Sequence, residues 1–559
     1  MLTLALRRVA IAVAAACLIR DGGAALLCSN SSTAINGTPF PPLIEADLVD
    51  LARGLETGLF TSVDLVTAYI TRIKEVSSPL KMVTQINPDA LDIAAEMDSA
   101  RAAGTHYGPL HGIPVLIKDN IATADKMDNT AGSYALVGAK IPADSTMAAK
   151  LRKAGAIILG KTNLSQWANY RSSNSSNGWS AVGGQTQGAY YPKQDPSGSS
   201  SGSGVSSSLG LAFASLGTET DGSILSPSNM NNLVGIKPSV GLTSRYLVVP
   251  ISEHQDTVGP MARSVRDAAY LLSAIAGPDP NDNYTSAIPF EKIPNYVKAC
   301  DYFALAGKRI GVPRNLVRSV TLAPIQAEFD AALGVLRGAG ATVVDDLELP
   351  GYEAVNAGDY EDNVLMSDFI TNLAGYVSKL GSNPNNITSV ASLQAFTQSS
   401  PLEDWPERDT LIWEAALNLT HGNESPLFWG NYTAQRYFAG PLGITGALQN
   451  YSLDALVVPT AVASGLPALI GSPVITVPLG KLPANTTVTR NRFGNLVARA
   501  PNQPFGISFM GGHFSEETLI GIAYAFEQRT LVRNTITPYL LPKTELADVV
   551  AKRSGAAKR

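Results

Sequence analysis

The sequence predicts an α/β protein: one large domain in which a central mixed β-sheet is covered by helices on both faces. Three observations lead there. Apolar runs of strand length recur along the chain, each bounded by glycine or polar residues. Helical periodicities with recognisable start and stop signals lie between them. No linker separates two halves, and no repeat of fixed period is present. Alternation of this kind suits a covered sheet that contains parallel pairs.

The elements follow in order. After Pro39, Pro41 and Pro42, Thr61 caps a helix with Asp64 in its first turn, and Val66, Ile70 and Ile73 recur at helical spacing. Asn87-Pro88 reads as the cap and first-turn proline of a second helix, which Gly104 ends. Residues 113–117 form an apolar run between Gly112 and Lys118-Asp119-Asn120, a buried strand with polar groups at its C-terminal end. Asp144 is expected to cap a helix that runs to Ala154. Gly155 stops it, and residues 156–159 make the next strand. A Ser/Gly-rich stretch, 197–208, leads into apolar 209–216 and then into 217–223. Further strands are expected at 309–312, 341–344, 456–458, 474–477 and 505–509, with helices at 324–336 and 516–528. Residues 350–450, rich in asparagine and aromatics, read as a variable, cap-like insertion.

Composition bounds the function. Of 559 residues, 45% are hydrophobic and 16% charged, enough apolar material for a large core. Net charge is −5, and no long basic run precedes the last nine residues, so a nucleic-acid surface is not expected. Arg7 and Arg8 followed by the apolar stretch 9–19 and small residues at 22–25 read as a cleaved signal peptide, about residues 1–25, with no stable membrane span after cleavage. A mitochondrial presequence is the alternative. Asn-x-Ser/Thr occurs at Asn30, Asn36, Asn163, Asn174, Asn283, Asn386, Asn418, Asn423, Asn431, Asn450 and Asn485. The run from Asn386 to Asn485 reads as a glycosylated, secreted surface, whereas Asn163, beside a core motif, is expected to stay bare. Cys28 and Cys300 either pair after secretion or stay unpaired, and Cys17 lies in the leader. With five histidines and no Cys-His ligand spacing, neither a metal site nor any other cofactor is expected.

Three segments carry the chemistry: His111-Gly-Ile-Pro-Val-Leu-Ile-Lys-Asp-Asn120, Ser197-Gly-Ser-Ser-Ser-Gly-Ser-Gly204 and Gly217-Thr-Glu-Thr-Asp-Gly-Ser-Ile224. Singly, each has an ordinary reading as a strand end, a flexible linker or a turn. The lipase-type Gly-x-Ser-x-Gly elbow fails at Ser223. Together and in order they resemble the amidase signature family. Its two serines match Ser199 and Ser223, 24 residues apart, and its strand-end lysine matches Lys118. The resemblance extends through Leu151-Arg-Lys-Ala-Gly-Ala-Ile-Ile-Leu-Gly-Lys-Thr-Asn163, Gly235-Ile-Lys-Pro-Ser-Val-Gly241, Gln255-Asp-Thr-Val-Gly-Pro-Met-Ala-Arg263, Ile507-Ser-Phe-Met-Gly511 and Ala523-Tyr-Ala-Phe-Glu-Gln528. It implies an amidase signature domain over residues 42–540. Within the family, Leu164-Ser-Gln-Trp-Ala-Asn169 and Gly178-Trp-Ser-Ala-Val-Gly-Gly-Gln185 look closest to bacterial peptide amidases.

The resemblance implies hydrolysis of a carboxamide through an acyl-enzyme on Ser223, with Ser199 relaying its proton to Lys118. It also implies an oxyanion hole built from the backbone of Thr220, Asp221, Gly222 and Ser223. The roles are physically coherent, because serine needs a base and lysine is a base only when burial lowers its pKa. Tyr170 and Arg171 are expected to touch substrate, a small-molecule or peptide amide. Lys161, Asp119, His254, Asp256, Trp167 and Trp179 are read as structural. Leu225 replaces the family's common arginine, which leaves open what ion pair anchors the nucleophile loop. Two other functions stand beside this one: the glutamine-hydrolysing subunit of a tRNA-dependent amidotransferase, and a secreted, non-catalytic binding protein on the same fold. The sequence leaves the oligomeric state open.

Overall fold

A computed structural model describes residues 38–419 and 421–556. The leader, Asn30, Asn36, Cys17 and Cys28 lie outside the described residues, and with them any Cys28–Cys300 pairing.

Eleven strands build one mixed sheet. In chain order they are β1 (Val83–Ile86), β2 (Pro114–Lys118), β3 (Ile157–Thr162), β4 (Ala214–Glu219), β5 (Val234–Lys237), β6 (Thr257–Ala262), β7 (Arg309–Pro313), β8 (Thr342–Leu347), β9 (Ala455–Pro459), β10 (Val474–Lys481) and β11 (Pro504–Met510). Across the sheet the order is β1-β3-β2-β4-β6-β5-β10-β11-β9-β7-β8. β3, β2 and β4 run parallel, as do β9, β7 and β8, while the strands between these two groups pair antiparallel. Helices flank the sheet, so its middle strands are buried on both faces and read as continuous apolar runs rather than alternating ones.

The helices used below are α1 (Ser62–Leu80), α2 (Ala90–Ala102), α3 (Thr146–Lys153), α4 (Ser201–Ser208), α5 (Leu225–Met230), α6 (Tyr360–Val377), α7 (Pro426–Ala439) and α8 (Glu516–Thr530). α1 opens on a full capping box between Thr61 and Asp64, as its sequence predicts. Two expected caps differ. Ser145, not Asp144, caps α3, and Asp144 instead pairs with Arg152 inside that helix at 2.9 Å. α2 starts after Asp89, because the Asn87 amide is drawn to Ile158 O at 2.9 Å in the neighbouring strand. Asp144 also accepts from Ala124 N at 2.7 Å, and Asn87 Oδ1 accepts from Asp89 N at 3.0 Å, a turn just ahead of the helix rather than its cap.

Residues 350–450 are helical. α6 and the helices Val390–Ser399 and Leu411–Asn418 enclose a small second core in which Trp167 meets Trp413 edge-on at 5.9 Å and Phe369, Leu373 and Tyr376 pack alongside. Trp167 is thus a core residue shared between the insertion and the sheet domain.

The asparagine sequons separate by burial. Asn174, Asn283, Asn386, Asn418, Asn450 and Asn485 are exposed. Asn163 is fully buried, and its amide donates within 3.3 Å to Lys81 O, Gly178 O, Gly184 O and Thr186 Oγ1. Asn423 corrects the expectation for its group. Its buried amide donates to Glu253 Oε1 at 2.7 Å and Asp368 Oδ1 at 2.8 Å, so it is a structural residue in the folded chain. Among the described residues no helix is long and apolar enough to cross a membrane.

Candidate active site

Because β2, β3 and β4 are parallel, their C-terminal ends and the loops that follow share one edge of the sheet, the place where open α/β sheets gather ligands. Lys118 ends β2 and Glu219 ends β4. The loop 220–223 follows β4, and 163–171 follows β3. The predicted residues are brought together here.

Lys118 is fully buried, since its strand is covered on both faces. Its Nζ lies 2.8 Å from Ser199 Oγ, 2.8 Å from Thr218 Oγ1 and 3.1 Å from Thr218 O. Burial pulls its pKa from 10.5 down to about 7, and the charges of Asp256 and Glu219 counter only part of that. At neutral pH a large share of Lys118 is therefore a free amine.

Ser199 belongs to the Ser/Gly stretch, which is a packed element and not a linker. The Gly198–Ser199 peptide is cis, and α4 follows at once with every residue buried. Small side chains are required here. A Cβ on Gly202 would stand 2.2 Å from Met82 O and 2.6 Å from Asn163 N, so only glycine permits this approach. Most of the serine hydroxyls find internal partners, Ser203 with Thr162 at 2.7 Å, Ser207 with Ser215 at 2.9 Å and Ser200 with Thr218 O at 3.0 Å, while Ser206 Oγ has none among the described residues.

Ser223 reaches this site through the backbone. Ser200 N donates to Ser223 O at 3.1 Å, placing the loop 220–223 against the start of α4. Among the described residues no hydrogen bond joins the Ser223 and Ser199 hydroxyls. Ser223 is 7% exposed and Ser199 is fully covered, so the outer serine is the one a ligand can meet. Gly222 has φ +77°, a left-handed turn that side chains resist. The amides of Asp221, Gly222 and Ser223 donate no hydrogen bond among the described residues. Three neighbouring N–H groups without acceptors are free to donate to an anion.

Glu219, Lys237 and Thr218 were not singled out by sequence reasoning, and Asp256 was read only as structural. Glu219 Oε2 accepts from Ile224 N at 2.7 Å and Leu225 N at 2.9 Å, clamping the two amides just after Ser223. Buried Lys237, from β5, supplies the positive charge that Glu219 feels, where Leu225 has none to offer. Thr218 holds Lys118, and Asp256 accepts from Thr220 Oγ1 at 2.6 Å. Thr218 and Glu219 sit inside the Gly217–Ile224 segment, so their positions were visible but their partners were not.

Tyr170 and Arg171 are placed by the insertion. The Tyr170 ring meets Phe369 edge-on at 5.0 Å, and its carbonyl accepts from Trp413 Nε1 at 2.6 Å. Arg171 is 2% exposed, paired with Glu403 at 3.2 Å and donating to Glu403 O and Arg408 O, each at 2.7 Å. Its guanidinium is spent on the fold, and the half-buried Tyr170 keeps the more accessible face. Asp119 and Lys161 are likewise committed internally, to Thr130 and to Asn129.

The chain is similar to several known proteins. A family model described as Amidase matches residues 64–520. A protein of Arthroderma benhamiae named "Putative amidase" is 52% identical over 532 residues, covering 91% of this chain and 90% of its own. The X-ray structure of native peptide amidase from Stenotrophomonas maltophilia superposes with a TM-score of 0.79 at 39% identity, covering 91% of this chain and 100% of that one. A glutamyl-tRNA(Gln) amidotransferase subunit from a Synechococcus species is 31% identical, covering 86% of this chain and 96% of that protein.

Proposed function

The chain belongs to the amidase family of hydrolases, and from that premise we propose a serine-amidase mechanism in which Ser223 is the nucleophile, Ser199 the relay and Lys118 the base. The observation that carries this reading is the 2.8 Å contact between Lys118 Nζ and Ser199 Oγ around a lysine held near pKa 7. A neutral amine has two N–H bonds and one lone pair. Thr218 offers two oxygens to the N–H bonds, which leaves the lone pair for the Ser199 hydroxyl.

In the acylation step Ser223 Oγ bonds to the carboxamide carbon. Its proton passes to Ser199 Oγ, whose own proton passes to Lys118 Nζ. Negative charge develops on the carbonyl oxygen, where the unpaired amides of Asp221, Gly222 and Ser223, with Thr220 alongside, stabilise it; one such donor is typically worth about 3 kcal/mol. As the C–N bond breaks, the Lys118 proton returns through Ser199 to the leaving nitrogen. Water then cleaves the Ser223 ester by the same relay, releasing the acid.

The substrate class we favour is a peptide or small-molecule carboxamide, because the peptide amidase is similar over nearly the whole chain at 39% identity and the amidotransferase subunit is more distant. A non-catalytic binding protein would have no use for a lysine buried at such cost. We read the chain as secreted, on the strength of the leader and the exposed sequons, with a mitochondrial address as the alternative. Intact-mass analysis of the native protein separates these: glycan mass supports secretion, and its absence favours the other. The mechanism itself is tested by a serine-directed fluorophosphonate. It should label Ser223, and Lys118→Ala should label far more slowly at neutral pH. Equal labelling of that variant removes Lys118 as the base.

A further inference from the structure

Lys118 meets three oxygens, and three acceptors are what an ammonium group needs. They are Ser199 Oγ and Thr218 Oγ1, each at 2.8 Å, and Thr218 O at 3.1 Å. A free amine is different. It has two N–H bonds and one lone pair, so one of the three oxygens must then donate a proton instead of accepting one. Thr218 O is a carbonyl and only accepts. The lone pair therefore falls to one of two hydroxyls. If Ser199 donates, Lys118 is a base for the relay. If Thr218 donates, the lone pair is spent on a group that leads nowhere.

The proton of Thr218 decides between them, and a side chain outside the relay faces it. Asn120, just past the end of β2, is 2% exposed, and Val249 N fixes its backbone by donating to Asn120 O at 2.9 Å. Its Nδ2 donates to Thr218 Oγ1 at 3.0 Å, while its Oδ1 is buried with no partner among the described residues. Lys118 and Asn120 are the only hydrogen-bond partners of Thr218 Oγ1 among the described residues. With Nδ2 facing it, Thr218 has no acceptor for its own proton except the lone pair of Lys118. Turned over about its Cβ–Cγ bond, the amide keeps its shape and presents Oδ1 instead. Oδ1 then accepts the Thr218 proton, and Thr218 can only accept from Lys118. The unpaired amide oxygen, costly where it is buried, thus gains a partner in the state that frees the base.

We propose that Asn120 is a positioning residue of the relay: by taking the Thr218 proton on Oδ1, it reserves the Lys118 lone pair for Ser199. The proposal rests on the Ser223–Ser199–Lys118 relay. Asn120 does this without a charge. The charges that Lys118 feels come from Asp256 and Glu219. Asp119, its neighbour in the chain, spends its carboxylate on Thr130 Oγ1 and on Gly132 N at 3.1 Å. A carboxylate at position 120 would accept the same proton but would hold Lys118 protonated to higher pH. A neutral amide orders the protons and leaves the amine free.

The test is the rate at which a fluorophosphonate labels Ser223, followed from about pH 6 to 9.5. Asn120→Leu fills the same space and accepts nothing, so it should label roughly tenfold or more slowly than wild type across the range. Asn120→Asp can accept the Thr218 proton. It should reach a plateau near the wild-type one, with the rise displaced upward by roughly one pH unit, because its charge favours the lysine ammonium. Asn120 acts through Thr218, so adding Asn120→Leu to Thr218→Val should slow labelling no further, whereas a side chain that only fills space would make the two losses multiply. A wild-type rate in Asn120→Leu, or multiplied losses in the double variant, overturns the role of Asn120 while the relay stands. Should Asn120→Leu fail to fold, Asn120→Asp still decides, since a plateau far below wild type overturns the proposal. Equal labelling of wild type and Lys118→Ala overturns the relay itself, and this role with it.

Discussion

Lys118 Nζ stands 2.8 Å from Ser199 Oγ, although 81 residues separate them in the chain. The contact exists because β2 and β4 are parallel neighbours, and the Ser/Gly stretch that precedes β4 folds back over their common end. Under the proposed mechanism, both activity and stability should depend on this arrangement.

Ser223→Ala should abolish ammonia release, by roughly 10⁴-fold or more, while leaving the circular dichroism spectrum and melting temperature close to wild type. The side chain is small and the Ser200–Ser223 contact is made by backbone atoms, so the fold loses little. Undiminished hydrolysis would transfer the nucleophile to another residue.

The pH dependence of activity should follow Lys118. Its free amine is the active form, so kcat/KM should rise as pH increases through about 7 and then level off. A profile flat from about pH 5.5 to 8.5 would contradict the lysine base.

Stability should carry the opposite imprint of the same group. Lys118 is protonated in both the folded and unfolded chain below about pH 7, and there the folded state bears the full penalty of a buried charge. Between about 7 and 10.5 only the unfolded chain binds the proton, so this penalty shrinks as pH rises and is gone near 10.5. Lys118→Met should therefore gain stability relative to wild type at about pH 6 and lose that gain by about pH 10. The pH-dependent difference is of the order of 3 to 5 kcal/mol, read from urea unfolding at the two pH values. A gain that does not vary with pH would show that burial is not what depresses the amine.

Glu219→Ala should remove the acceptor shared by the Ile224 and Leu225 amides. Hydrogen bonds to a charged group are worth about 1.5–3 kcal/mol each, so a loss of about 3 kcal/mol or more is expected. The same change frees the loop that aims Ser223, and kcat should fall more than KM rises. Steady-state kinetics with kcat unchanged would make Glu219 a bystander.

Glycan mapping should separate the sequons by burial. In protein secreted from a eukaryotic host, glycosidase treatment in heavy-oxygen water should convert asparagine to labelled aspartate at exposed sites such as Asn386, Asn450 and Asn485. Asn423 and Asn163 should remain unlabelled, because their amides are buried donors. A glycan at Asn423 would mean that its contacts with Glu253 and Asp368 do not form.

Much of the fold was legible along the chain. Apolar runs located the strands around Lys118, Ile158 and Val457, and the Thr61–Asp64 box located α1, because periodicity and capping are local properties. Local reading failed where a distant group competes, as at Asn87 and Asp144, and where burial decides chemistry, as at Asn423. The Ser/Gly stretch shows both sides. Its letters alone fit a linker, and only its distance from Ser223 and from Lys118 marked it as part of a site.

The sequence by itself determined which residue types are present and in what order: two serines 24 apart, an upstream lysine, and the glycine that lets the loop before Ser223 turn. The tertiary structure alone decided their chemical state. Lys118 has its pKa lowered to about 7 because its strand is buried and water is excluded from it. Glu219 clamps a loop because β4 ends beside it. Hydration and charge proximity are properties of three-dimensional packing, and no local pattern in a chain encodes them in readable form.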